Sequence, residues 1–206
     1  MVMQEPIEFY FDLISPYGYL ASTQIEAVAA RHGRGVDWRP VLLGVTVMKI
    51  MGMKPLLETP LKGAYLYHDA PRVAAMLGVP FRHHGLKNIN SVTALRAFVW
   101  LKDQDEGLAL RFAKRMYERL WVRGEDITAP EAAAAEAEQL GVDAATLMDA
   151  VTSPAVKQAL HEAVDAAVEK GVFGVPFFIA DGEAFWGGDR LPMLDYWLTH
   201  HQWEKQ

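Results

Sequence analysis

The sequence predicts an α/β protein in the order β-α-β, a block of helices, then β-β-α. Three observations predict it. Aromatic and β-branched runs at 7–14 (IEFYFDLI) and 175–180 (VPFFIA) read as buried strands. Segments of helical period, with no convincing strand, fill the span 45–172 between them. Asp181-Gly182 is a hairpin-turn signal leading into a short partner strand at 183–186.

Each element has a local reason. Ser15 is a good N-cap and Pro16 suits a first helical turn, so a helix follows strand one and runs to Ala30, ended by His32-Gly33 and Gly35. The run 36–43 (VDWRPVLL) is a second strand, parallel to the first, with Pro40 marking an edge or a strand end. Residues 45–60, rich in Met, Lys, Gly and Pro, read as a loop with room for a short helix. Helices follow at 62–77, 91–102 and 107–121. Thr128-x-x-Glu131 reads as a capping box ahead of the Ala-rich stretch 132–140. A short helix at 143–151 and a longer one, begun by Ser153-Pro154 and stopped at Gly171, complete the block. After 183–186, Gly187-Gly188 breaks the strand and 191–201 is an amphipathic helix.

Composition narrows the function. The chain has 206 residues, a formal charge of −6 and 51% hydrophobic residues, which is ordinary for a globular protein. Net acidity without a basic block argues against nucleic acid. No apolar run is long enough for a membrane span, and positions 1–6 show neither a secretory nor a transit pattern, so the expected location is the cytoplasm. There is no cysteine. That excludes disulfides, thiolate metal sites, CxxC redox chemistry and a cysteine nucleophile; any sulfur chemistry must use a ligand's sulfur. His83-His84 and His200-His201 are adjacent pairs without matching ligand spacing, so no metal is expected.

Ser15 stands where strand one hands over to the first helix, a place where open α/β sheets bind ligands and where a helix start favours an anion such as a thiolate. On spacing alone a plain cap, as at Ser153, is the stronger explanation. A serine nucleophile needs a base, and no histidine adjoins Ser15, so its functional reading is hydrogen-bond donor. Val175-Pro176 starts a strand, and its isomer cannot be read from sequence. In Phe185-Trp186-Gly187-Gly188-Asp189-Arg190-Leu191 the glycines permit close backbone approach. Asp189 is either the cap of the last helix or a carboxylate for a ligand ammonium. Lys49 and Lys54 are candidates for a substrate carboxylate. Met48, Met51 and Met53 either line an apolar pocket or pack on helices.

The ordered motifs FYFDLISPYGYLAS, RPVLLG, EDITAP, FGVPFF and FWGGDRL resemble 2-hydroxychromene-2-carboxylate isomerases and kappa-class glutathione transferases, within the DsbA-like thioredoxin group. The resemblance implies a thioredoxin-like domain at 1–44 and 173–206, an inserted all-helical domain at 45–172, and a homodimer. It implies glutathione as cofactor, with Ser15 at its sulfur, Val175 and cis Pro176 along its peptide, and Trp186, Gly187, Gly188 and Asp189 as the binding turn. It places Lys49 at the carboxylate of a small aromatic substrate of the kind met in aromatic catabolism. Met53 stands where the family often has Asn, which removes one amide candidate. Three activities follow from these readings: a glutathione-dependent isomerase, a kappa-type transferase that consumes glutathione, or a non-catalytic binding module of thioredoxin architecture.

Overall fold

The computed structural model describes residues 5–54, 56, 59–83 and 85–203. Its elements in chain order are β1 (Ile7–Phe11), α1 (Pro16–Ser22), α2 (Ile25–Arg31), β2 (Val36–Pro40), a π-helical turn Gly44–Ile50, α3 (Lys62–Leu77), α4 (Val92–Gln104) and α5 (Glu106–Glu118). A second π-helical turn Arg119–Arg123 follows, then α6 (Pro130–Glu138), α7 (Ala144–Thr152), α8 (Pro154–Glu169), β3 (Phe177–Ala180), β4 (Glu183–Trp186), a 3₁₀ turn Gly188–Arg190 and α9 (Leu191–His200). The strands form one mixed sheet in the order β2-β1-β3-β4. β1 runs parallel to β2 and antiparallel to β3, and β3 and β4 form a hairpin. This is a thioredoxin-like α/β fold with helices inserted between β2 and β3.

Register explains the core. Phe9 lies opposite Trp38 and Phe178, and Phe178 opposite Phe185, so one face of the sheet is a sheet of rings. Phe9 stacks on Phe178 at 5.3 Å and Phe11 meets Phe98 of α4 edge-on at 5.0 Å. Pairs of this geometry add to their area burial. Tyr10 and Phe177 face the other way, toward Ala167 and Val172 at the end of α8. β2 is the edge strand that Pro40 foretold. The Lys102 ammonium covers its edge by donating to the Trp38 carbonyl (2.8 Å) and pairing with Asp37, which blunts the edge against intermolecular pairing.

Four details depart from expectation. The first helix is two, α1 and α2, because Ser22 Oγ donates to Tyr19 O (2.6 Å) and Thr23 Oγ1 to Leu20 O (2.8 Å), drawing off carbonyls the continuing helix would use. β1 stops at Phe11, where Asp12 O accepts the Ser15 N–H (3.0 Å) and turns the chain. Thr128-Glu131 is not a capping box. Pro130 takes the first helical position and leaves Ala129 as an N-cap without a side-chain bond, while Thr128 Oγ1 accepts from Asn90 N–H (3.2 Å). Asp189 does not cap α9, whose N-cap is Arg190. Asp143 and Ser153 do cap their helices. Among the described residues no helix is long and apolar enough to cross a membrane.

Candidate active site

Ser15 is the buried N-cap of α1, and its Oγ accepts the Gly18 N–H at 3.0 Å. That bond uses an oxygen lone pair and leaves the hydroxyl hydrogen for another acceptor. The first turn accounts for its donors one by one: Pro16 has none, Gly18 gives its N–H to Ser15 Oγ and Tyr19 to Ser15 O. Tyr17 N–H has no acceptor among the described residues. The Ser15 O–H and the Tyr17 N–H are thus adjacent open donors, suited to one anion. Gly18 must be glycine: a Cβ there would lie 2.7 Å from Tyr117 Oη and 3.2 Å from Ser15 Cβ.

The Val175-Pro176 bond is cis. Val175 makes no backbone hydrogen bond to a described residue, whereas Pro176 O accepts Gly187 N–H at 2.9 Å. Gly188 closes the assembly: a Cβ built on it would sit 3.8 Å from Ala21 Cβ, 3.9 Å from Tyr17 O and 4.0 Å from Pro176 Cγ. The helix that Ser15 caps, the cis-proline loop and the double-glycine turn therefore meet in one place. Gly187 has φ +109°, and a Cβ there would run into the Asp189 carboxylate. Gly187→Ala is expected to lower stability by about 1–3 kcal/mol in urea unfolding, the usual size of such backbone strain. Trp186 is exposed, packs edge-on against Phe173 at 4.8 Å and lies over Gly174. The Asp189 carboxylate is 73% exposed, with Arg190 Nη2 at 3.6 Å, and remains available to a ligand cation.

Lys49 lies in the last turn of the first π-helical segment, exposed, its ammonium without a hydrogen bond or ion pair to a described residue. Among the described residues no hydrogen bond or ion pair joins it to the Ser15 cluster. Met48, Met51 and Met53 around it are exposed, which fits neither full packing on neighbouring helices nor the lining of the cavities described below. Lys54 is exposed as well. His83 packs against the Tyr67 ring at 4.0 Å, and His84 lies outside the described residues. Among the described residues no group of three His, Cys, Asp or Glu could hold a metal ion.

Two features escaped sequence reading. Tyr17 Oη donates to Asp69 Oδ2 (2.5 Å), and Tyr65 Oη to Asp69 Oδ1 (3.0 Å). Burial and the Asp69 carboxylate hold the Tyr17 hydroxyl protonated well above its ordinary range. The i, i+4 spacing of Tyr65 and Asp69 on α3 was the visible half of this cluster. It borders an apolar cavity of about 350 Å³ lined by Tyr17, Leu56, Leu61, Lys62, Tyr65 and Leu66. A larger cavity of about 700 Å³ lies between β2, α4 and α8, and none of the candidate site residues lines it. The second missed feature is Asp12, fully buried beneath the Ser15 turn.

A thioredoxin-type sheet with a serine-capped helix facing a cis-proline loop defines the class. The chain belongs to the family of the DsbA-like thioredoxin domain, whose model matches residues 6–199. It is 32% identical over 197 residues to the 2-hydroxychromene-2-carboxylate isomerase of Sphingobium xenophagum, covering 95% of this chain and 99% of that one. It is 29% identical to human glutathione S-transferase kappa 1, covering 93% of this chain and 90% of that one. The solved structure of a 2-hydroxychromene-2-carboxylate isomerase superposes with a TM-score of 0.84 at 27% identity, over 95% of each chain.

Proposed function

We propose that this protein is a glutathione-dependent isomerase that opens 2-hydroxychromene-2-carboxylate-type substrates to trans-o-hydroxybenzylidenepyruvate-type products. The observation that carries the reading is the pair of open donors, Ser15 O–H and Tyr17 N–H, at a helix start packed beside the cis-proline loop. The residues present fit glutathione. Ser15 and Tyr17 N–H hold its sulfur as thiolate. The unpaired Val175 backbone before Pro176 takes its peptide as a strand would. Gly187 and Gly188 let the backbone of the turn come close beside Trp186, and the exposed Asp189 carboxylate meets its ammonium.

Bound glutathione supplies a sulfur nucleophile that adds to a conjugated carbon and later leaves, so that a former double bond can rotate while it is single. The chain's task is to keep that sulfur ionised and to orient the second substrate. A free thiol has a pKa of about 8.5, and bringing it to about 6.5 needs roughly 2.7 kcal/mol of differential stabilisation. One charge-assisted hydrogen bond contributes about 1.5–3 kcal/mol, so Ser15 with the Tyr17 N–H and the helix start is sufficient. The apolar cavity beside Tyr17 accommodates an aromatic ring, and Lys49 takes the substrate carboxylate. The same reading makes the protein a cytoplasmic homodimer that needs no metal, membrane or nucleic acid.

The similarity to kappa transferases supports a second reading, conjugation of glutathione to an electrophile with release of the adduct. A spectrophotometric assay decides. Isomerisation of a hydroxychromene carboxylate that requires glutathione and leaves its concentration unchanged is the expected result. Equal rates with and without glutathione overturn the isomerase mechanism. Consumption of glutathione with a chlorinated aromatic electrophile, without isomerisation, establishes the transferase. Absence of glutathione binding by calorimetry at millimolar concentration leaves a non-catalytic binding module.

A further inference from the structure

We propose that the ionised carboxylate of Asp12 is a positioning residue, a clasp that fixes the Ser15 turn against the segment leading to Lys49 and against the head of α4. As a role in turnover this rests on the isomerase reading above; as a clasp it stands on geometry alone. Three segments meet at this side chain. Its Oδ2 accepts Leu43 N–H (2.9 Å), immediately before the π-helical segment whose last turn carries Lys49. Its Oδ1 accepts the hydroxyl of Ser91 (2.5 Å), the N-cap residue of α4, and more weakly Ile14 N–H (3.3 Å). Its main-chain carbonyl holds Ser15 N–H (3.0 Å) and the hydroxyl of Tyr117 from α5 (3.2 Å).

Every partner of the carboxylate is a donor. An ionised carboxylate accepts from all of them, whereas a carboxylic acid must turn a hydrogen toward one, and only the Ser91 hydroxyl can reorient to receive it. Among the described residues no basic side chain is one of its hydrogen-bond partners. Tyr117 is the titratable group that faces it, kept neutral by burial and by Asp12 itself. Burial pushes the Asp12 carboxyl up to about 6 against the pull of its donors. A raised carboxyl favours the fold at low pH, and that contribution is lost as the pH rises through about 6. At neutral pH the charge therefore strains the fold while completing the clasp. A buried charge held against stability, at the junction of the segments that carry Ser15 and Lys49, marks a positional role.

The test uses Asp12→Asn, which keeps size, removes the charge and turns one acceptor into a donor, and Ser91→Ala, which keeps charge and removes a donor. The readouts are thermal melting at pH 7, kcat and KM for glutathione-dependent isomerisation from pH 5 to 8, and amide hydrogen exchange corrected for intrinsic rates. The Asn variant is expected to melt at or above wild type. Its kcat falls about three- to tenfold through lost orientation, with KM changed less than about threefold. The Ala variant raises, by about half a pH unit, the pH at which segments 15–19 and 43–47 lose protection, because the carboxylate has lost a donor. In wild type, segments 15–19 and 43–47 lose protection together as Asp12 protonates; in the Asn variant both are less protected at every pH. Unchanged kcat in the Asn variant, a loss of kcat matched by a lower melting temperature, or a protection midpoint unmoved in the Ala variant overturns the proposal. So does exchange in which the two segments respond independently. If wild type turns over no substrate with glutathione, the proposed function fails by that result, and the exchange measurement still decides the clasp.

Discussion

Ser15→Ala is expected to lower glutathione-dependent turnover at pH 7 by about three- to 25-fold, the loss of thiolate at that pH when one charge-assisted hydrogen bond of roughly 1.5–3 kcal/mol is removed. The mechanism sets a sharper condition than the size of the loss. Without the Ser15 hydroxyl the bound thiol regains about one to two pH units, so at neutral pH most of it is no longer thiolate. At pH 9 it ionises unaided and the deficit shrinks. Absorbance of the bound thiolate against pH is expected to shift by the same amount as the rate profile. A deficit equal at every pH from 6 to 9 overturns thiolate stabilisation as the role of Ser15. The substitution also removes the cap on Gly18 N–H, worth about 1 kcal/mol of helix stability. Ser15→Thr separates the two effects, because it keeps both a cap and a hydroxyl.

Much of this site could be read from the chain because it is local. Ser15-Pro16 declares a capped helix start, Asp181-Gly182 a hairpin, and Gly187-Gly188 a turn without side chains. The order of these signals matches the order of elements in the sheet. What could not be read was long-range. Asp12 looks like a polar interruption of a strand until Ser91, 79 residues away in sequence, is seen to donate to it. Asp69 looks like an exposed helix acid until Tyr17, 52 residues away, reaches it. The break between α1 and α2 was lost for a subtler reason: Ser22, Thr23 and Gln24 fit helical spacing, but their side chains bond backward to Tyr19 and Leu20 and end the helix they seem to continue. Thr128 shows the converse. A motif with a sound mechanism fails where Pro130 fixes the helix start one residue later.

The largest stability effect is expected away from the site, at Glu136. This α6 carboxylate has a side chain only 5% exposed and receives three arginines. Arg115 reaches Oε2 through Nε (2.9 Å) and Nη2 (2.8 Å), Arg119 reaches Oε1 (3.2 Å), and Arg123 pairs with Oε1 as well. The arginines recur every fourth residue along α5 and the second π-helical turn, so one face of that element is pinned to α6. Arg119 and Arg123 share Glu125 as a second partner, while Glu136 is the one carboxylate that Arg115 pairs with among the described residues. Glu136→Ala therefore strands a guanidinium and opens a void at a buried ion cluster. The expected loss is about 3–5 kcal/mol, a large share of the roughly 5–15 kcal/mol that holds a typical domain folded. At this chain length that corresponds to a melting temperature lower by about 6–20 °C. Glu136→Gln, which keeps an acceptor, is expected to lose less than half as much. The cluster also reaches the site. The π-helical turn it clamps carries Trp121, whose indole N–H donates to Leu13 O (2.9 Å), two residues before Ser15. Hydrogen exchange in Glu136→Gln is accordingly expected to rise first in segment 119–123 and then in 13–18, ahead of the sheet. Faster exchange confined to α6 would show that the arginine ladder holds its own helices and nothing beyond them.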